Sequence, residues 1–186
     1  MSSLLQREAF LTSRTLDFAT ERGLTTEIGH GRDHWPAVVL KELVDNAMDA
    51  VEEVGEAPVI EVRADETMIE VRDNGPGLPD HVIAGVLDFT KRVSSREAYA
   101  GPTRGAQGNA LKTVVAMPFV LDGGRGMVEI EAHGVHHQIA FAIDRIAQEP
   151  RVEHRREPSL VRTGTIVRLL WPDSAKAHSW LRPYKS

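Results

Sequence analysis

The segment KELVDNAMDA, residues 41–50, carries Glu42, Asp45, Asn46 and Asp49, with Glu52 close behind. Asp and Asn weaken a helix interior because their short polar side chains compete for backbone hydrogen bonds. On a helix advancing ~100° per residue, Leu40, Leu43, Val44, Ala47, Met48 and Val51 share one side, and Glu42, Asn46, Asp49 and Glu53 share the other. The apolar stripe packs the helix on a sheet, and the polar row points away from it. Two readings of the row stand at this point. It is a solvated face, as most such rows are. Or it floors a pocket in which Glu42 activates a water and the Asn46 side-chain oxygen holds Mg2+, an ion that takes few hard oxygen ligands and keeps its waters.

Other groups bear on that choice. Asp73 sits where a strand ends, followed by Asn74, Gly75, Pro76 and Gly77. A carboxylate there can accept a hydrogen bond from an exocyclic amine such as adenine's, and glycines let a flat ring approach the backbone closely. An ordinary Asp-Asn-Gly turn also accounts for it. Gly101, Gly105 and Gly108 precede the helical NALKTVV, and backbone N–H groups in such a loop, with a helix N-terminus behind them, form an anion site. A P-loop fails, because Leu111 precedes Lys112 and Thr113 and no strand leads directly into the loop. A dinucleotide fold fails because no βαβ unit surrounds the glycines. Lys112 either reaches a phosphate or caps its helix in solvent. His133, His136 and His137 fall in a hairpin, and His30 and His34 in a loop, with no carboxylate at fixed spacing; they read as turn or surface histidines rather than zinc ligands. Trp171 and Phe141 read as core.

The elements that must position these groups follow from periodicity and punctuation. Residues 3–22 read as a helix capped by Ser3 and ended by Gly23, and LTTEIGHGRDH as a loop or short strand with turns. Pro36 suits the first turn of the acidic helix, with Asp33 or His34 near its cap and Gly55 at its end. Residues 58–64 and 68–75 alternate as a hairpin. Residues 80–91 form a short helix, and the polar stretch through residue 108 is a loop. NALKTVVAMPFVL begins helical and becomes a strand after Pro118; MVEIEAHG, HHQIAFAIDR and TGTIVRLLW are strands. The order predicts an α+β two-layer domain rather than βαβ alternation.

With 186 residues, 41 % hydrophobic and 26 % charged, the chain fits one soluble domain. A net charge of −5 argues against a nonspecific grip on nucleic acid. The absence of cysteine excludes disulfides and thiolate metal sites. No run approaches the ~18 apolar residues of a membrane span, and no signal pattern opens the chain. A cytoplasmic protein with no membrane partner is expected.

Three motifs stand in one order, ELVDNAMDA, DNGPGLP and TRGAQGNALK, with TGTIVRL further on. Together they resemble the GHKL ATPases, the group of gyrase, heat-shock chaperone, histidine kinase and mismatch-repair MutL relatives, over about residues 36–172. The wording ELVDNAMDA and the stretch VSSR…TRGAQG are most similar to the B component of type IIB, topoisomerase VI-like enzymes. The resemblance implies the Bergerat two-layer α/β sandwich, a mixed, mostly antiparallel sheet with helices on one face. It implies ATP and Mg2+ as cofactors and ATP hydrolysis, weak in isolation. Glu42 matches the general base for the attacking water and Asn46 the Mg2+ ligand. Asp73 matches the adenine-recognising carboxylate, with Gly75 and Gly77 in the turn beneath the base. Gly105, Ala106, Gln107, Gly108 and Asn109 match the phosphate-binding end of a lid, and Thr165 the threonine supporting the adenine site. Asp49 and Lys112 are further candidates for nucleotide binding. Histidine kinases generally lack a carboxylate at the Glu42 position, which favours the hydrolase branch.

The same resemblance divides the chain into residues 1–30, a helical strap and candidate dimerisation segment; 31–175, the ATP-binding domain; and 176–186, a tail or the start of a transducer domain. It implies an ATP-dependent homodimer and a topoisomerase VI A-like subunit through which DNA is reached. The alternative is an ATP-gated dimerising switch of MutL or chaperone type without topoisomerase activity, or a binding-only domain whose hydrolysis has decayed.

Overall fold

The computed structural model describes residues 18–55, 57–89, 100–101, 105–122, 127–144, 146–147 and 149–171. Helix α1 spans Glu21–Ile28, and its Thr20 cap accepts the Gly23 N–H on Oγ1 at 3.0 Å. The expected stop at Gly23 is therefore corrected. Gly23 lies inside the helix, because Thr20 satisfies one of the first-turn donors there, and α1 ends at Gly29. Of the expected helix 3–22, Phe18 and Ala19 are helical, Thr20 interrupts the run as the cap of α1, and residues 3–17 fall outside the described ones; residues 24–28, expected as a loop or short strand, belong to α1. A short 3-10 turn, Arg32–His34, leads into α2, Trp35–Val54, with Pro36 in the first turn and Gly55 as the end cap. His34 occupies the cap position without a side-chain capping bond.

The strands are β1 (Glu61–Ala64), β2 (Met68–Arg72), the two-residue pair β3 (Ala100–Gly101) and β4 (Gly105–Ala106), β5 (Met127–Ala132), β6 (Val135–Asp144), β7 (Glu149–Pro158) and β8 (Thr165–Leu170). Two further helices are α3 (Asp80–Leu87) and α4 (Gln107–Asp122). The main sheet runs β1-β2-β8-β5-β6-β7, and every pairing within it is antiparallel among the described residues. The last strand thus returns to the middle of the sheet and joins the β1–β2 hairpin to the β5–β6–β7 meander.

Alternation along each strand sorts the two faces. Ile69, Val71, Val128, Ile130, Ile139, Phe141 and Leu169 are buried on the face that the helices cover. Across that face α2 lays a seam of Trp35, Val39, Leu43, Ala47 and Val51, one residue per turn. The opposite face carries Arg168 among Glu70, Glu129 and Glu131, residues that stand in line across β2, β8 and β5 or one step beyond. Helices on one face and a charged lattice on the other make the two-layer α+β architecture expected.

Two expectations change. The strand expected after Pro118 is the end of α4, which keeps Pro118 in its interior and runs on to Asp122. Residues 111–118 are buried throughout. That burial of a largely apolar helix outweighs the single backbone hydrogen bond that proline removes. The edge strand β7 has no counterpart among the expected strands, because its sequence EPRVEHRREP has no apolar face and most of its residues are exposed. Charged edge strands are one way that sheets resist further pairing.

Candidate functional site

A cavity of about 350 Å³ opens between α2, the sheet and α3. Leu43, Asn46, Ala47 and Ala50 form its α2 side; Val71, Asp73, Thr165 and Val167 its sheet floor; Val82 and Val86 its α3 wall. The residues of one helix stripe and one strand end therefore meet in space. Asn46 is part of this wall and faces the gap between helix and sheet, so its expected direction away from the sheet is corrected. Ala47 and Ala50 line the same wall, and their small side chains leave the space beside Asn46 open.

The base of the cavity is a backbone clamp built where β2 ends and β8 begins. Asp73 N–H donates to the Thr165 carbonyl at 3.0 Å, continuing the ladder by one residue. Asp73 Oδ1 in turn accepts the N–H of Thr165 at 3.1 Å and the N–H of Gly75 at 2.8 Å. Gly164 N–H donates to the Gly75 carbonyl at 2.9 Å and closes the turn against the strand end. Gly164 has φ 74°, and a side chain there would clash with the Asp73 carbonyl oxygen. Gly77 has φ 93° and lies against His133. Burial pushes the Asp73 carboxyl above its ordinary value, partly opposed by the two backbone donors and the Thr165 hydroxyl. A carboxylate has about four acceptor positions, so this one is held in place yet keeps capacity for a ligand donor.

The other end is less satisfied. Asn46 Nδ2 is buried with no hydrogen-bond partner among the described residues, and a buried unpaired amide costs stability until something binds it. A half-turn of the side chain exchanges nitrogen for oxygen, so the open position can offer either a donor or an acceptor. Glu42 lies one turn earlier on α2. It does not line the cavity among the described residues and pairs with Lys41 at 3.0 Å, while Lys41 also bonds Asp45 at 2.9 Å. Asp49 is half-buried and likewise off the cavity wall. Gly75 sits behind the Asp73 carboxylate. Gly105 and Ala106 form β4, and Gln107, Gly108 and Asn109 begin α4; the side chains of these residues are outside the described ones. The N-terminal turn of α4 nonetheless provides an anion-favouring helix end beside the glycine stretch.

Lys112 requires a correction. It does not cap its helix in solvent: its side chain is 1 % exposed, and Nζ donates to the Asp88 carbonyl at 2.8 Å. It ties α4 to the end of α3, and burial lowers its pKa. Periodicity does not reveal this, because the residue sits in a largely apolar run with no polar face to place it. Among the described residues no group of three His, Asp or Glu side chains could hold a metal ion.

Sequence reasoning misses His133 as a site residue. Its place in a turn holds, but the ring also lines the cavity beside Gly77. Nothing local signals this, since 56 residues separate the two positions in the chain (133 − 77). His137, expected on the surface, is instead buried, with Nδ1 2.9 Å from His154 Nε2. Its Nε2 stands 3.5 Å from Asp80, which also faces Arg156, so the cluster anchors the N-terminus of α3 against the meander. Burial and the neighbouring His154 hold the His137 pKa below its ordinary value.

The family described as histidine kinase-, DNA gyrase B-, and HSP90-like ATPase matches residues 32–175. The chain is similar to the B component of type 2 DNA topoisomerase 6 from Natronomonas pharaonis, 32 % identical over 155 residues, covering 78 % of this chain and 19 % of that protein. The protein of the same name in Halobacterium salinarum is 31 % identical over 163 residues, with the same coverage of 78 % and 19 %. That of Archaeoglobus fulgidus is 44 % identical over 82 residues, 41 % of this chain and 13 % of the relative. The chain thus spans about a fifth of the length of the first two relatives. No helix among the described residues is long and apolar enough to cross a membrane.

Proposed function

The chain belongs to the histidine kinase-, DNA gyrase B- and HSP90-like ATPase family, and from that premise we propose that its cavity binds ATP with Mg2+ and hydrolyses it, as the ATPase module of a topoisomerase VI B-like system. The observation that carries the reading is the pairing of a fixed acceptor with an unsatisfied amide in one cavity. Asp73, locked by the Gly75 and Thr165 N–H groups, accepts an exocyclic amine; Asn46, buried without a partner for its amide nitrogen, faces the same space.

Each residue then has a task. Asp73 orients the base, and Thr165 holds the Asp73 carboxylate through its backbone N–H. The α4 N-terminus and the Gly105–Asn109 backbone receive the phosphates. Bound with the nucleotide, Mg2+ supplies charge neutralisation at the phosphate oxygens. Asn46 is the protein ligand available to it. Glu42 lies one turn, about 6 Å, from Asn46 and turns from Lys41 to orient the attacking water and take its proton. The cavity's apolar walls exclude bulk water, which strengthens each of these interactions. An ATP-dependent homodimer through residues 1–30, and a topoisomerase A-like partner acting on DNA, complete the proposal.

Calorimetric titration with Mg-ATP and Mg-GTP tests it. ATP is expected to bind at least tenfold more tightly, about 1.4 kcal/mol, because guanine presents a carbonyl to Asp73 where adenine presents an amine. Binding of neither nucleotide, or equal binding of both, would overturn the assignment.

A further inference from the structure

Asp73 cannot by itself select adenine. A carboxylate that accepts an exocyclic amine rejects guanine, but cytosine carries the same amine as adenine. The structure places a second group at this end of the cavity. His133 and Gly134 form the two-residue turn between β5 and β6, and Ala132 pairs with Thr165 in the sheet, so the turn stands directly beside the Asp73 clamp. Both turn residues have positive φ, 50° and 79°, and His133 is the one non-glycine with positive φ among the described residues. Gly134 donates to the Val161 carbonyl at 2.6 Å and accepts the Ser159 N–H at 2.8 Å, which fixes the turn from its outer side.

The ring is placed as closely as the backbone. A methyl group built on Gly77 would lie 3.0 Å from His133 Nε2 and 3.1 Å from Cε1, so the imidazole rests on the bare backbone of the DNGPG turn. The same ring lines the cavity. Gly or Asn would meet the turn's conformational demand with less strain. Positive φ at both positions is what a two-residue hairpin turn of this kind requires; what imidazole adds is a flat polar ring lining the cavity.

We propose that His133 is a specificity-determining residue: its ring packs on the second ring of a purine whose amine is held by Asp73, a part of the base that cytosine lacks. The proposal rests on the nucleotide reading above. Asp73 then discriminates adenine from guanine, and His133 discriminates adenine from cytosine.

The test is calorimetric titration of the unaltered chain, His133→Gly and His133→Asn with the Mg2+ complexes of ATP, CTP and GTP. Both replacements tolerate positive φ, so melting temperatures are expected to be equal to or above that of the unaltered chain. The ratio of ATP to CTP affinity should fall about tenfold in both variants, the scale of one lost ring contact to a base. The ratio of ATP to GTP should stay unchanged. An ATP-to-CTP ratio that is the same in all three chains, with ATP still bound, overturns the role of His133 and leaves the nucleotide reading intact. Failure of the unaltered chain to bind any of the three overturns both.

Discussion

Asp73 and Asn46 line one cavity, but the fold prepares them differently. Asp73 is 8 % exposed and held by two backbone donors, in a turn whose glycines leave no room for side chains. Asn46 keeps an unpaired buried amide nitrogen, and Glu42 one turn away is occupied by a solvent-exposed lysine. One end is satisfied within the chain, and in the proposed function the other is completed by the ligand. Recognition of a rigid base gains from a preformed acceptor, because no ordering cost is incurred on binding. Under the proposed function, the groups that meet phosphates and water change partners during turnover, and a fully satisfied network there would oppose that change.

The largest effect is expected at the reacting end. Replacing Glu42 with Ala should reduce single-turnover ATP hydrolysis by about 100-fold or more, the range for a lost general base, while ATP affinity measured by calorimetry stays within about twofold. Hydrolysis at the unaltered rate would remove Glu42 from the mechanism. At the finished end, Gly164→Ala forces a side chain against the Asp73 carbonyl at φ 74°. It is expected to cost about 2–3 kcal/mol of stability, seen as a lower melting temperature, and to lose nucleotide binding with it.

A milder change separates rigidity from charge at Asp73. Asp73→Asn keeps an oxygen for the two backbone donors but turns an amide N–H toward the adenine amine. ATP affinity should fall about tenfold and the preference over GTP should narrow. The same variant isolates the pH dependence. Because burial raises the Asp73 pKa in the folded chain, its ionised, amine-accepting form is lost as pH falls through that raised value, and ATP binding weakens with it. The sign for folding is opposite. A carboxyl whose folded pKa is raised favours the folded state below its unfolded pKa, and that contribution is lost as pH rises through the folded one. Acidification should therefore weaken binding while the Asp73 contribution to folding grows, and Asp73→Asn should remove both dependences. Titration and thermal melts across mildly acidic pH check the pair.

Much of the site is legible in the chain because its chemistry is local. ELVDNAMDA reads as an amphipathic helix bearing an amide, and DNGPG as a strand-ending turn with an acceptor, since each depends on neighbours three or four residues away. The α2 limits at Pro36 and Gly55 follow from the same local rules. Where local rules compete with burial they fail: Gly23 and Pro118 look like breakers, yet a cap satisfies the first and a deeply buried helix carries the second. Lys112 and His137 look solvent-facing by residue type, and both are buried against partners distant in the chain.

Residue types and short spacings settle which side chains could accept an amine, hold a cation or move a proton, because those properties travel with the residue and its near neighbours. Folding in three dimensions adds what they leave open: β8 returns to the centre of the sheet, sets Thr165 against Asp73 across 92 residues (165 − 73) and brings the His133 turn beside them. The reason is physical. Strand order and register depend on which apolar faces can be buried together, a property of the whole chain that no local window contains.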